Sequence, residues 1–138
     1  MKILLDTNIV LDIALGRPGY SEKAKELISY FNREQILFFV SATTVTDIYY
    51  ILKKSSNHTS AMEFLNHFLL HAEVAGVDKD VILNALNSGL SDFEDAVQIH
   101  CAVFNHISAI ITRNKSDFKT KEISVYTPDE FLVYQQSK

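Results

Sequence analysis

Short polar side chains follow two apolar runs of the sequence, at the points where those runs end. Asp6 comes directly after the run at residues 2–5, and Asn114 and Asp117 follow the run at residues 109–112. A helix cap or a turn is the ordinary explanation for such residues. Carboxylate oxygens contributed by several segments are also the ligands that a hard cation such as Mg²⁺ takes. These residues are therefore candidates for a metal site.

Further acids lie within or at the start of two predicted helices. Asp47 falls inside a helix expected from about residue 42, where a buried carboxylate needs a cation, hydrogen-bond donors or an exposed edge. Asp92, Glu94 and Asp95 crowd the start of a helix expected after residue 91. The helix dipole explains Asp92 and Glu94 better than Asp95, which we place at the fourth helical position. A cation would also relieve the repulsion between Asp92 and Asp95, which share a helix face.

The sequence contains none of the common alternatives to an acidic metal site. Its five histidines are scattered without zinc spacing, and it has neither a glycine-rich phosphate loop nor a Gly-x-Ser-x-Gly motif. Acids holding Mg²⁺ or Mn²⁺ suit phosphodiester hydrolysis, because the metal generates a hydroxide and neutralises the phosphoryl oxygens. The residues alone therefore indicate a metal-dependent phosphoryl hydrolase. A phosphatase or phosphoacceptor using Asp6 is disfavoured, since Asn8 stands where a second acid would be needed.

Alternating segments predict the scaffold that must position these acids. Short apolar runs indicate strands buried on both faces, at residues 2–5, 36–40, 73–77 and 109–112, with a fifth expected at 123–125. Capping-box sequences predict helix starts at Ser60, Ser91 and Thr127. Strands alternating with helices favour a three-layer α/β fold, whose central, mostly parallel sheet of four to five strands is flanked by helices. In such sheets, sites form at the carboxyl ends of the strands.

The bulk composition fits a single globular domain spanning residues 1–138. The chain is 47% hydrophobic and has one cysteine, Cys101, which fits a reducing compartment. No signal-peptide core or membrane span is visible, so we expect a soluble, cytoplasmic protein. The net charge of −4 argues against nucleic-acid binding. A basic stretch beside the acids at 114 and 117 offsets that objection, although a solvated loop explains it equally well; it contains Arg113, Lys115, Lys119 and Lys121.

The order and context of these residues resemble the PIN-domain nucleases, particularly the VapC-like toxins of bacterial toxin–antitoxin pairs. Four segments covering nearly the whole chain carry the resemblance: Leu4-Leu5-Asp6-Thr7-Asn8-Ile9, Ser41-Ala42-Thr43-Thr44-Val45-Thr46-Asp47-Ile48, Asp92-Phe93-Glu94-Asp95-Ala96-Val97-Gln98, and Ile111-Thr112-Arg113-Asn114 through Asp117-Phe118. The resemblance implies a three-layer α/β fold, Mg²⁺- or Mn²⁺-dependent RNA cleavage, a homodimer and an antitoxin partner.

The same resemblance assigns catalytic and metal-binding roles to individual acids. The first three acidic positions of the family fall on Asp6, Asp47 and Asp95, and the fourth falls on Asn114 or Asp117. Many relatives have glutamate at the second position and Thr-x-Asp at the fourth, so this chain departs from the pattern twice. We expect Asp117 to supply the fourth carboxylate. Supporting roles toward the ligands or the substrate fall on Thr7, Asn8, Asp92, Thr112, Arg113 and Asn114.

Two other functions remain open on the sequence. One is an RNA-processing PIN nuclease that works without an antitoxin. The other is a non-catalytic PIN module that binds RNA or protein, which the departures at Asp47 and Asn114 would allow. The minimal length favours the toxin, since it leaves no room for an appended RNA-binding domain.

Overall fold

The computed structural model describes residues 1–137, in which five strands alternate with seven α-helices; Lys138, the last residue of the expected domain, lies outside the described residues. The strands are β1 (Lys2–Leu5), β2 (Leu37–Ser41), β3 (Glu73–Ala75), β4 (Ala109–Ile111) and β5 (Ser124–Tyr126). The helices are α1 (Thr7–Ala14), α2 (Tyr20–Arg33), α3 (Ala42–Ser55), α4 (His58–Phe68), α5 (Lys79–Leu86), α6 (Phe93–Phe104) and α7 (Pro128–Gln136). A 3₁₀ turn spans Lys115–Asp117. All five expected strands are present, each with its bounds within two residues of the expectation.

The five strands form one parallel sheet in the order β3-β2-β1-β4-β5. The chain runs outward from β1 to β3 and then crosses back to β4 on the other side of β1. The strand order therefore reverses between β1 and β4, and in open parallel sheets a crevice forms at the carboxyl ends of such a pair. Asp6 directly follows β1, and Thr112 directly follows β4.

The sheet is buried on both faces, which confirms the predicted α/β fold. Alternate side chains of β1 enter two different cores: Ile3 and Leu5 face one, and Leu4 faces the other. Helices α1 to α4 and α7 supply the first core, whereas α5 and α6 supply the second. Because both faces are covered, the three central strands β2, β1 and β4 consist mainly of apolar residues, whereas the edge strands β3 and β5 are more exposed. No helix within residues 1–137 has the length and apolarity to cross a membrane.

Two of the three predicted capping boxes are wrong. Helix α4 begins at His58, because the Asn57 side chain accepts a hydrogen bond from the Ser60 N–H at 2.8 Å. Helix α6 is capped by Asp92, whose carboxylate accepts from the Asp95 N–H at 3.0 Å. Asp95 is thus the third helical residue and lies in the first turn. The capping box at Thr127 is confirmed, with reciprocal bonds to Glu130.

Helix α6 is buried more completely than one apolar stripe predicts. All seven residues from Ala96 to Ala102 are buried, including Gln98 and His100, because the helix packs on the sheet and against α5. In the sequence, apolar residues at spacings of three and four predict one buried stripe on this helix: Phe93, Ala96, Val97, Cys101 and Phe104. The prediction is wrong at the two ends of the stripe, where Phe93 and Phe104 are 47% and 46% exposed. The first turn of α6 is therefore exposed although the middle of the helix is buried. This first turn brings Asp95 to the carboxyl edge of the sheet.

Candidate active site

Asp6 lies at the crevice between β1 and β4 and ties the two strands together. Its backbone N–H donates to the Ile111 carbonyl at 3.0 Å, and its carboxylate Oδ2 accepts from the Thr112 hydroxyl at 2.8 Å. Its Oδ1 caps α1 by accepting from the Thr7 N–H at 2.8 Å. Both expectations for Asp6, a helix cap and proximity to the segment after β4, are therefore met by one side chain. It is only 6% exposed.

A network of neutral side chains surrounds the Asp6 carboxylate. The Thr7 and Thr44 hydroxyl oxygens lie 2.8 Å apart, and Gln98 Nε2 lies 3.1 Å from Thr44 Oγ1. The same amide nitrogen lies 3.5 Å from Asp6 Oδ1. Gln98 Oε1 is buried and has no hydrogen-bond partner within residues 1–137. Asp6 thus receives hydrogen bonds from neutral donors but no direct contact from a positively charged group of residues 1–137.

An open cavity of about 620 Å³ lies over this network and gathers the predicted acids. Six acidic side chains line it: Asp6, Asp47, Asp92, Glu94, Asp95 and Asp117. Thr7, Asn8, Asn114 and Gln98 add neutral polar groups, and Tyr50 and Phe93 add aromatic rings. No basic side chain of residues 1–137 is among those that line it. The four acids predicted as metal ligands therefore meet in one cavity.

Four acids of the cavity, Asp6, Asp47, Glu94 and Asp95, have a raised pKa. Burial raises the pKa of Asp6, and outweighs the hydrogen bonds from Thr112, Thr7 and Gln98 and the charge of Arg113. Burial likewise raises the pKa of Asp47. The pKa of Asp95 is raised to about 7, first by burial and then by the charges of Asp92, Asp6, Asp117 and Glu94. Mutual repulsion is thus part of the electrostatics of this cavity.

Among the charges of the cavity, that of Asp47 contributes most to the raised pKa of Glu94. Burial raises its pKa first, followed by the charges of Asp47, Asp92 and Asp6. Glu94 is nevertheless exposed, whereas Asp95 is half-buried. Asp92 is already engaged as the α6 cap, a role that the sequence had predicted for Ser91. Of the three acids at this helix start, Asp95 is the most strongly perturbed carboxylate that is not used as a cap.

The segment after β4 folds back on itself and brings two of its side chains to the cavity. The Asn114 N–H donates to Thr112 Oγ1 at 3.0 Å, and the Asp117 N–H donates to the Asn114 carbonyl at 2.9 Å. Asn114 and Asp117 both line the cavity, so either is placed for the fourth acidic position. Thr112 lies beneath them as a hydrogen-bond donor to Asp6.

Arg113 lies outside the acidic cavity. Its Nε is 2.8 Å from Asp12 Oδ2, and its guanidinium stacks 4.0 Å from the centre of the Tyr20 ring. Lys115 pairs with Glu130 on α7 at 3.1 Å. Two cations of the basic stretch, Arg113 and Lys115, therefore turn away from the cavity toward acids on α1 and α7.

The donor chemistry of the cavity fits a hard divalent cation. Its possible ligands are oxygens, several of its carboxylates repel one another, and Gln98 contributes a buried carbonyl oxygen that lacks a partner within residues 1–137. As the side chains of residues 1–137 stand, however, no group of three or more His, Cys, Asp or Glu could hold a metal ion. A metal would therefore require some carboxylates to turn further toward one another.

Three residues of this region were not predicted from the sequence. Gln98 and Thr44 carry the network beneath Asp6, and Asp12 holds Arg113. Gln98 follows Asp95 by three residues in α6, and Thr44 precedes Asp47 by three in α3, so helical spacing from a candidate acid was the available signal. Asp12 had a similar signal, an isolated acid within the apolar segment of α1.

Comparison with known proteins identifies the family. The sequence profile of the PIN domain matches residues 2–116. Similar solved structures include DNA-bound VapBC from Salmonella typhimurium, with a TM-score of 0.71 and 18% identity over 93% of this chain and 98% of that chain. VapBC2 from Rickettsia felis, bound to a promoter DNA fragment, has a TM-score of 0.70 and 18% identity over 91% and 97% of the two chains. VapC20 from Mycobacterium tuberculosis, a sarcin–ricin loop cleaving toxin, has a TM-score of 0.65 and 16% identity over 78% and 86%.

At these identities, the structural neighbours establish the fold alone. No curated protein sequence matches the chain significantly. The family profile, in contrast, covers most of the chain, including Asp6, Asp47 and Asp95, and it ends just before Asp117. The chain belongs to the PIN-domain family.

Proposed function

We propose that this protein is a Mg²⁺- or Mn²⁺-dependent endoribonuclease, acting as a single nuclease domain. The observation that carries the proposal is the cavity at the carboxyl ends of β1 and β4, which gathers six acidic side chains and no basic one from residues 1–137. Family membership supports nuclease chemistry, and the VapC fold neighbours include a toxin that cleaves the sarcin–ricin loop, an RNA element. RNA is accordingly the proposed substrate.

Asp6, Asp95 and Asp117 would hold the metal, with Asp47 joining directly or through water. When bound, the metal would supply a hydroxide at neutral pH and neutralise charge on the phosphoryl oxygens. Asp6 is preoriented by Thr112 and Thr7, so it would need the least movement. Asp95 and Asp117 are more exposed and free to turn inward. This inward turn would complete the ligand set that the side chains do not yet form.

The remaining polar residues of the cavity would orient these ligands and the substrate. Gln98 and Thr44 would fix the Asp6 carboxylate from below, and Asn8 and Asn114 would offer neutral hydrogen-bonding groups to the RNA backbone. The metal-loaded cavity would attract phosphates although the chain carries a net charge of −4. A cytoplasmic location suits such an RNA substrate.

We further propose that the protein is the toxin of a toxin–antitoxin pair and works as a homodimer. Support comes from fold neighbours that are toxin–antitoxin complexes in their own right, from Salmonella typhimurium and Rickettsia felis. Co-expression with the product of an adjacent small gene, followed by co-purification, tests the antitoxin. Size-exclusion chromatography with light scattering tests the dimer.

The decisive experiment is a cleavage assay on structured RNAs with Mg²⁺, Mn²⁺ or EDTA. The wild type should cut only with a divalent cation, and Asp6→Asn should cut more than about 100-fold more slowly with any metal. Asp80→Asn is the matched control, because Asp80 is an exposed acid in the first turn of α5 that does not line the cavity. Undiminished cleavage in excess EDTA would exclude the metal mechanism. Binding of RNA without cleavage in any metal would instead favour a non-catalytic module.

A further inference from the structure

Asp12 is a buried acid outside the acidic cavity, and two arginines neutralise it. Its side chain is 1% exposed; Oδ2 lies 2.8 Å from Arg113 Nε, and Oδ1 lies 3.2 Å from Arg17 Nη1. A carboxylate so deeply buried is costly unless it is paired. The two arginines occupy different structural positions, since Arg17 follows α1 closely whereas Arg113 follows β4.

Arg113 is held on two sides. Its Nε meets Asp12, and the face of its guanidinium stacks 4.0 Å from the Tyr20 ring centre, a cation–π contact. Its side chain is 24% exposed. These contacts lie in a second cavity of about 380 Å³, which is lined by Asp12, Tyr20 and Arg113 and adjoins the acidic cavity at Asn114.

The backbone at Arg113 connects Thr112 to the two residues of this segment that line the acidic cavity. On one side, Thr112 donates its hydroxyl hydrogen to Asp6. On the other, Asn114 and Asp117 line the acidic cavity, and a backbone hydrogen bond of 2.9 Å joins them. A side chain that draws residue 113 toward α1 therefore determines where the following residues lie.

We propose that Asp12 is a positioning residue, which acts through Arg113 to hold segment 112–117 against the acidic cavity. The pair also keeps the guanidinium away from the carboxylates of that cavity, where it would compete with a cation for the same negative charge. The consequence for metal binding rests on the proposed function. The consequence for the order of segment 112–117 does not.

The test compares removal of the two ion pairs of Asp12. Asp12→Asn and Arg113→Met both break the link to the segment, whereas Arg17→Met breaks the other ion pair and serves as the matched control. Amide hydrogen exchange over residues 113–118, measured without metal, reports the order of the segment. Calorimetric titration with Mn²⁺ reports its effect on the cavity.

Asp12→Asn and Arg113→Met should each speed exchange over residues 113–118 and weaken Mn²⁺ binding by about 10- to 100-fold, the usual cost of losing a residue that orients a ligand. Arg17→Met should leave both readouts near wild type even where it lowers the melting temperature. Arg113→Lys, which retains a charge able to reach Asp12, should fall between wild type and Arg113→Met. The double variant Asp12→Asn/Arg113→Met should be no worse than the weaker-binding single variant, because both act through one contact.

Equal exchange over residues 113–118 in Arg113→Met and Arg17→Met would overturn the proposal, and Asp12 would then serve stability alone. If Asp12→Asn fails to fold, the three arginine variants still decide the question. If the wild type binds no Mn²⁺ and cuts no RNA, the proposed function fails, and hydrogen exchange alone decides whether Asp12 positions the segment. The two failures are thereby separated.

Discussion

Two buried aspartates at helix α1 have opposite kinds of partner. Asp12 is paired with two guanidinium groups, whereas Asp6 receives hydrogen bonds from neutral donors and has no cation of residues 1–137 in contact with it. Both are nearly inaccessible, at 1% and 6% exposure. Arg113, whose charge reaches both, turns to Asp12.

This difference indicates that Asp12 supports the structure, whereas Asp6 is left available to a cation. A buried carboxylate that is already paired has no need of a further cation. A buried carboxylate among other acids, with its pKa raised, gains from one. Asp12 has arginine partners and Asp6 does not, so the acidic cavity around Asp6 is the better place for a metal. Substitutions of Asp12 and of the cavity acids test this difference.

The largest expected effect is the loss of activity in Asp6→Asn and Asp95→Asn. Removing a residue that only orients a metal ligand costs about 10- to 100-fold, so removing a ligand should lower RNA cleavage by more than about 100-fold. Without metal, both variants should melt at or above the wild-type temperature, because each removes a charge from a repelling cluster. Cleavage rates and thermal melts in EDTA check this, and a large fall in the melting temperature of both variants would make these acids structural.

Asp12→Asn should behave in the opposite way in the metal-free melt. Breaking a fully buried ion pair by neutralising one partner typically costs about 3–5 kcal/mol, and the loss here should be smaller because the Arg113 and Arg17 side chains are 24% and 34% exposed. Urea denaturation of Asp6→Asn and Asp12→Asn side by side measures the contrast. Equal stabilities would remove the distinction between the two aspartates.

The stability of the metal-free protein should depend on pH through Asp95. Its pKa in the folded protein is raised to about 7 from an ordinary value of 3.8. Below both values the carboxyl group is neutral in both states and costs nothing. As the pH rises between them, the unfolded state ionises first, so stability falls and stays low above about 7. The pKa values of Asp6, Asp47 and Glu94 shift in the same direction, and these acids should add to the slope.

Urea denaturation in EDTA across this pH range measures the slope, and Asp95→Asn should flatten it. Mn²⁺ should stabilise the wild type more at the upper end of the range than at the lower end, because protons compete with the metal for the carboxylate. A slope identical in Asp95→Asn and wild type would show that Asp95 is not the responsible group.

A smaller effect is expected at the fourth acidic position. Asp117→Asn should weaken Mn²⁺ binding and RNA cleavage together, since an amide oxygen brings no negative charge to offset a cation. Asn114→Asp should preserve or improve both, because Asn114 lines the same cavity. Calorimetric Mn²⁺ titration beside a turnover assay checks the pair. Unchanged binding and turnover in Asp117→Asn would leave a three-acid site.

The smallest effect among the cavity acids is expected at Glu94. It is exposed and lies in the first turn of α6, where the helix dipole already favours a negative charge. Glu94→Gln should therefore retain most of the RNA cleavage that Asp95→Asn loses. Turnover of Glu94→Gln as low as that of Asp95→Asn would place Glu94 among the ligands, beside Asp47.

The convergence of the acids was predictable from the sequence, because strand periodicity places Asp6 and the segment after β4 at one edge of a parallel sheet. The direction of Arg113 was not, because its partner Asp12 is distant in sequence and no local pattern joins them. The starts of α4 and α6 were also misplaced. Ser60 and Ser91 match a capping pattern, but Asn57 and Asp92 lie near each and are equally good caps.

The order of the strands has a consequence for the protein during its own synthesis. Strand β1 is synthesised before its neighbour β4 and before the hydroxyl that binds Asp6, with Thr112 lying 106 positions after Asp6. An incomplete nascent chain ending before β4 therefore carries Asp6 without Thr112, Asn114 or Asp117. If the cavity does cut RNA with these residues, that activity requires translation at least as far as the segment that supplies Thr112, Asn114 and Asp117.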